Sequence, residues 1–202
     1  MKLHRFAFSG HAHRVELFLS LLGKKDGCEL VDVDLLKGEH KTPAFLKRNV
    51  FGEVPVLEDG EAVICDSNAI LVWLALRYDP QKRWYPQDPQ TIAEVQRWLA
   101  VASGRLVFGP NHVRIIKAFG MNQYNYPQAD TVTKDTFTSM NNHLEGREWL
   151  VGSSATIADV SCYSHIAGSA DGGIHLSIWQ HLQAWLKRVE GLSGFLPYPR
   201  VG

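Results

Sequence analysis

Two stretches of this chain carry residue types that could hold a small peptide-like ligand between them. In Gly52-Glu53-Val54-Pro55-Val56-Leu57, a proline stands where a strand should begin. Pro55 has no N–H, so it must lie at a strand start or on an edge. With a trans Val54–Pro55 bond these residues make an ordinary edge strand; with a cis bond, which the spacing to Asp66-Ser67 favours and which is expected here, the turn frees the N–H and C=O of Val54 to pair with an extended peptide. In the second stretch, Asp66-Ser67 precedes the apolar run Ala69-Ile70-Leu71-Val72-Trp73-Leu74. Either polar residue can cap a helix there, and the unpaired N–H groups and dipole of a helix start attract a carboxylate. A small extended peptide with a carboxylate end suits both features. His11 and His13 invite a metal, but imidazoles two residues apart diverge on a helix and no third ligand is near, so no metal is expected.

The elements that must position these residues follow from periodicity. Leu3 to Phe8 reads as a buried first strand, and Val15, Phe18, Leu19 and Leu22 as one face of a helix closed by Gly23. Leu30 to Asp34 is a second strand, parallel to the first through a right-handed crossover. Thr42 before Pro43 starts a short helix through Phe45, Leu46 and Lys47. Val54 to Leu57, the turn Asp59-Gly60 and Ala62 to Cys65 form a hairpin that feeds the helix after Ser67. The order is βαβαββα. A proline-punctuated connector follows, placing a first unit at 1–79, a linker at 80–89 and an all-helical unit at 90–202. In that second half Ile92, Val95, Leu99, Ala102 and Leu106 form one helical stripe, broken at Gly109-Pro110. Ile178, Leu182, Trp185, Leu186 and Val189 form another. Thr156-Ile157-Ala158-Asp159 reads as a capping box with a structural role. Gly120 to Pro127 reads as a loop, and residues 193–202 as a surface tail.

Composition excludes several functions. The chain has 202 residues, 45% of them hydrophobic, enough for a substantial core. Lys plus Arg and Asp plus Glu number 21 each, which gives no electrostatic case for nucleic acid or an anionic membrane. The run Ile70 to Leu76 is too short to cross a bilayer. Cys28, Cys65 and Cys162 lack Cys-x-x-Cys spacing and read as buried free thiols in a reducing cytosol.

Phe51 to Leu57 followed by Asp66-Ser67-Asn68-Ala69-Ile70 resembles the glutathione-binding region of cytosolic glutathione S-transferases, particularly bacterial, serine-type members. Ser9 to Val15 and Thr156 to Val160 are similar to two further motifs of that family, and the three occur in its order along nearly the whole chain. The resemblance implies an α/β thioredoxin-like N-terminal domain followed by an all-α C-terminal domain. It also implies a cytoplasmic homodimer, glutathione as co-substrate with no other cofactor, and addition of the thiolate to a small hydrophobic electrophile. For the dimer, Trp73 and a stripe through Trp98 offer apolar surface beyond what two small domains need.

Such chemistry needs the thiolate, and a free thiol near pKa 8.5 is little ionised at neutral pH; a donated hydrogen bond favours the charged form. On composition alone Ser9 is an N-cap. Its place at the end of the first strand, five residues before Arg14 as in serine-type members, makes it the catalytic candidate. The resemblance assigns the main chain of Val54, beside Pro55, to the cysteinyl unit. It assigns Asp66 and Ser67 to the γ-glutamyl end, and Lys41 with His40 to the glycyl carboxylate. Arg14 packs or pairs within the fold. His11, Phe108, Asn111, His112 and Ile115 are candidates for the electrophile pocket, and His11 also for lending positive potential to the thiolate. Two residues depart from the family pattern: Val50 where proline usually precedes Phe-Gly, and Asp66 where glutamate is commoner. The rival readings are glutathione-dependent reduction of disulfides or peroxides, and a non-catalytic binding or protein-interaction module.

Overall fold

The computed structural model describes residues 1–201. Its sheet has the order β2-β1-β3-β4, built from β1 (Lys2–Arg5), β2 (Glu29–Asp32), β3 (Val56–Asp59) and β4 (Ala62–Cys65). β1 runs parallel to β2 and antiparallel to β3, which pairs antiparallel with β4. The helices are α1 (Gly10–Leu21), α2 (Pro43–Leu46), α3 (Ser67–Tyr78), α4 (Pro89–Ser103), α5 (His112–Phe119), α6 (Tyr126–His143), α7 (Ile157–Gly168) and α8 (Gln180–Glu190). This is the thioredoxin-like βαβαββα order followed by helices alone. No helix among the described residues is long and apolar enough to cross a membrane.

Strand ends differ from the sequence expectation for local reasons. β1 stops at Arg5 because the Ser9 N–H turns back to Phe6 O at 2.9 Å. β3 starts two residues after Val54, since Pro55 has no N–H for the ladder. Asp59 belongs to the ladder, opposite Ala62, and the turn is Gly60-Glu61 with Gly60 at φ +64°. The Asp59 carboxylate is then free to accept from Trp73 Nε1 at 2.9 Å and Tyr78 O–H at 2.8 Å, which fastens α3 to the hairpin.

α1 and α7 are the hub of the molecule. α1 is buried from Ala12 to Leu19, and every residue of α7 is buried, so both helices are covered on all sides. One core runs from Leu3 and Leu57 of the sheet through Phe18 and Leu74 to Leu99, Phe137, Val160 and Trp185. The Thr156–Asp159 capping box forms as read, and its carboxylate also serves the core. Asp159 Oδ1 accepts from Leu150 N–H at 3.0 Å and Trp185 Nε1 at 2.8 Å, while Oδ2 accepts from Thr156 N–H at 2.9 Å. Burial pushes this carboxyl up, and those donors oppose the shift.

Several expectations for the second half need correction. The stripe through Leu106 is not one helix: α4 ends at Ser103, Gly104 bends away, and a wide turn over Val107–Asn111 carries Gly109 and Pro110. A side chain at Gly109 would meet the Thr133 amide of α6 at 3.0 Å, so the bend needs glycine there. α6 begins inside the expected loop, because Asn125 caps Gln128 N–H and Pro127 fits the first turn. Ile178 is 75% exposed and lies ahead of α8. Trp98 is only 5% exposed and packs on His143, so it offers no surface to a partner. The tail is not a surface appendage. Tyr198 is buried against Gly10 and Gly168, Leu196 O accepts from His13, and Arg200 bonds Ala167 O and Asp171.

Replacing Asp159 by Ala removes the helix cap and strands the Leu150 amide and the Trp185 indole in the core. We expect a loss of roughly 3 kcal/mol or more in urea unfolding, since each buried unsatisfied donor costs about 1–3 kcal/mol. Adding Trp185→Phe to that variant should cost less than it does in the parent protein, because the two share one bond.

Candidate functional site

Ser9, His11, Lys41, Val54, Asp66 and Ser67 line one cleft of about 610 Å³. Three turns of chain build it. Ser9 ends the loop after β1 and caps α1, its Oγ accepting from Ala12 N–H at 3.3 Å. That bond uses an oxygen lone pair and leaves the hydroxyl proton free to donate into the cleft. Opposite, the Val54–Pro55 bond is cis. Among the described residues, no backbone hydrogen bond uses the Val54 N–H or C=O. A ligand with an extended backbone meets an open donor and acceptor there.

The third wall is the start of α3. Asp66 adopts φ +71°, a region costly for a residue other than glycine. In that conformation its Oδ1 accepts from Asn68 N–H at 2.8 Å and Ala69 N–H at 2.9 Å. Ser67 follows as the first helical residue. Behind it lies Arg14, fully buried, whose guanidinium donates to Ser67 Oγ at 3.4 Å and Asn68 Oδ1 at 3.2 Å. Burial lowers Arg14 to about 10, so it stays a cation at neutral pH. A buried cation beneath the positive end of a helix draws anionic groups to Ser67. The network continues through Asn68, which donates to Leu99 O and Ser103 Oγ and accepts from Ser161. In the sequence Arg14 reads as packing or pairing within the fold, and Asn68 stands in the motif without a role of its own. The burial of Arg14 follows from how other elements pack on α1 and has no marker in the neighbouring sequence.

His11 Nδ1 lies 3.1 Å from Ser67 Oγ, and its ring packs edge-on against His165 with centroids 4.7 Å apart. Although part of its surface meets the cleft, enclosure and the nearby Arg14 lower its pKa to about 3. It is therefore neutral at physiological pH and, contrary to the sequence expectation, lends no positive potential to a thiolate. His13 points the other way, bonded to Ser164 Oγ and Leu196 O. Lys41 Nζ donates to Phe51 O at 2.8 Å at the exposed rim, and His40 lines the same end of the cleft. Cys65 is only half-buried, in the cleft wall, where burial and then Asp66 push its thiol up.

The electrophile candidates are dispersed. His11 lines the cleft, whereas Phe108, Asn111, His112 and Ile115 do not. Phe108 is 59% exposed and contacts His112 edge-on. His112 in turn lies against Tyr124 at 4.2 Å, and Tyr124 reaches the cleft wall. Asn111 and Ile115 are half-buried on the same bent segment. Tyr124 was passed over because it sits in an aperiodic loop.

Residues 8–77 match the family described as "Glutathione S-transferase, N-terminal domain". The chain is 32% identical over 206 residues to human glutathione S-transferase theta-2, covering 89% of this chain and 82% of that one. It is 29% identical to a probable glutathione S-transferase of Oryza sativa subsp. japonica, over 92% and 89% of the two chains. Among solved structures, a glutathione S-transferase from Pseudomonas fluorescens superposes with a TM-score of 0.90 at 28% identity, covering 98% of each chain. A possible glutathione S-transferase from Rhodopseudomonas palustris gives 0.89 at 28% identity, over 98% and 97%.

The histidines around α1 make stability depend on pH. Burial lowers His13 to about 4 and His165 well below its ordinary value. The unfolded chain takes up these protons near pH 6.5 and the folded one does not, so the stabilisation is complete above that pH and is lost on acidification. For His13 the loss is about 1.4 kcal/mol per pH unit between 6.5 and 4. Thermal midpoints of wild type and His13→Gln between pH 7.5 and 4.5 should show a shallower acid slope in the variant. Parallel slopes would contradict this.

Proposed function

Because this chain belongs to the glutathione S-transferase family, we propose that its cleft binds glutathione and adds the thiolate to soft electrophiles. We assign it to the serine type, with Ser9 as the catalytic residue. One observation carries the reading: the free hydroxyl proton of Ser9, the open main chain at cis-Pro55 and the Asp66–Ser67 helix start face a single cleft.

The tripeptide fits by chemistry at each point. Val54 N–H and C=O pair with the cysteinyl backbone and bring its sulfur towards Ser9. Serine's own pKa is too high for it to act as a base, so its contribution is a hydrogen bond that favours the thiolate. The γ-glutamyl carboxylate meets the α3 N-terminus at Asp66 and Ser67, with the Arg14 charge behind. The glycyl carboxylate lies towards Lys41 and His40. Lys41 gains this role only by sharing its ammonium between Phe51 O and the ligand. The acceptor enters past His11 and the Tyr124–His112–Phe108 run of rings. No other cofactor is required for this chemistry. Cys65 is the one thiol in the cleft wall, and its raised pKa disfavours it as a rival nucleophile.

We place the glutathione-binding domain at 1–79, the linker at 80–89 and the acceptor-binding helical domain at 90–202. We also propose a cytoplasmic homodimer. Support for the dimer moves from Trp98 to the exposed apolar side chains Val50, Phe51, Val63 and Leu76, with half-buried Trp73 held by Asp59. Sedimentation at micromolar concentration should give twice the chain mass, and a monomer there would count against it.

Turnover with glutathione and an aryl halide tests the activity; turnover of disulfides or peroxides alone would favour a reductase, and binding without turnover a non-catalytic module. Ser9→Ala tests the mechanism. Loss of one hydrogen bond to a charged group is worth roughly 1.5–3 kcal/mol, a rise of about one to two units in the bound thiol pKa. Thiolate absorbance and turnover should fall at neutral pH and recover as pH rises, with glutathione affinity little changed. An unmoved pH–rate profile with only a lower melting temperature would reduce Ser9 to a helix cap.

A further inference from the structure

Ser67 Oγ sits between two nitrogen groups of different character. Arg14 Nη1, at 3.4 Å, can only donate; His11 Nδ1, at 3.1 Å, donates or accepts according to its tautomer. A hydroxyl has one proton and two lone pairs. With Arg14 on one lone pair, His11 decides where the Ser67 proton goes. If Nδ1 is bare, Ser67 spends its proton on the imidazole and turns only a lone pair to the cleft. If Nδ1 carries hydrogen, it fills the second lone pair and drives the Ser67 proton outward.

We propose that His11 is a positioning residue for carboxylate recognition: as the Nδ1–H tautomer it directs the Ser67 hydroxyl to donate to the γ-glutamyl α-carboxylate of glutathione. The inference rests on glutathione binding as proposed above. His11 and Ser67 line the same cleft, and Ser67 is 2% exposed, so its hydroxyl has few partners besides these two nitrogens and a ligand. The imidazole is held in place rather than free to swing away. His165, itself 2% exposed, packs edge-on against it from α7. Gly10 permits that approach, since a side chain there would lie 2.7 Å from His165 Nδ1. With Arg14 one turn along α1, His11 remains neutral, which leaves the tautomer as its variable. An anion at Ser67 stabilises the arrangement in which both Arg14 and His11 donate inward and the hydroxyl donates outward.

The test compares wild type, His11→Phe, which keeps a ring without nitrogen, and His11→Asn, which restores a donor near the Nδ1 position. Calorimetry at pH 7 would use glutathione and γ-aminobutyryl-cysteinyl-glycine, an analogue lacking the α-carboxylate. His11→Phe should bind glutathione about tenfold more weakly, as expected for one hydrogen bond in the chain to a charged group, while His11→Asn stays within about threefold of wild type. Wild type and His11→Phe should bind the analogue alike. Nitrogen-15 spectra of wild type with bound glutathione should show His11 protonated at Nδ1. Equal losses for both ligands, an unchanged affinity in His11→Phe, or a bound Nε2–H tautomer would overturn the proposal, and the spectrum decides even if the variants misfold. Failure of wild type to bind glutathione at all would instead sink the functional reading on which it rests.

Discussion

The arrangement of the cleft depends on a buried positive charge. Arg14 lies inside the protein on α1, with no carboxylate in contact among the described residues; its Nη1 donates to Ser67 and Asn68 at the start of α3, while Nε and Nη2 have no hydrogen-bond partner there. Removing a guanidinium from water is expensive unless its surroundings compensate. Here part of the compensation comes from neutral acceptors, and the Asn68 oxygen faces Arg14 because its amide nitrogen is held by Leu99 O and Ser103. One cation therefore requires α1, α3, α4 and α7 to meet in register. The same requirement places the N-terminus of α3 directly across from Ser9.

That register explains how Ser9 can serve structure and chemistry together. As an N-cap it accepts a bond from Ala12, which fixes the oxygen. In its proposed role as a donor it would use the proton that capping leaves over. The two roles are often treated as alternatives for a serine before a helix; here they use different parts of one hydroxyl, and the cap pre-aims the donor. Arg114 reinforces the aim from outside the cleft, pairing with Asp171 at 3.0 Å and donating to Phe8 O beside Ser9.

Features legible in the sequence were those whose cause lies within a few residues. The cis bond at Pro55, the Thr42 and Asp66 caps and the Thr156–Asp159 box each depend on a short motif, and each is present. The strand–helix order of the first half and the all-helical second half followed from periodicity, and the parallel β1–β2 pair from its crossover. What escaped depends on distant partners. Trp98 looked like interface surface because its stripe gave no hint that α6 covers it. The tail looked loose because Tyr198 and Arg200 follow no period, yet their partners lie on α1, on α7 and just beyond it. Asn68 looked like one more polar residue in a helix start. Its importance appears only when four helices converge on it.

The same convergence sorts the charged states around α1. Four groups that can carry positive charge, Arg14, His11, His13 and His165, crowd a poorly solvated region, and burial penalises charge on each. A guanidinium begins near pKa 12.5 and, lowered to about 10, keeps its proton. The imidazoles begin near 6.5, and the same penalty carries them far below neutrality. The Arg14 charge also lowers each of the three histidines. The result is one permanent cation among neutral rings, lying behind the first turn of α3 and near the Asp66 carboxylate that caps it. On the proposed reading, a carboxylate arriving at Ser67 meets that one buried cation, while the sulfur near Ser9 meets a neutral hydroxyl donor.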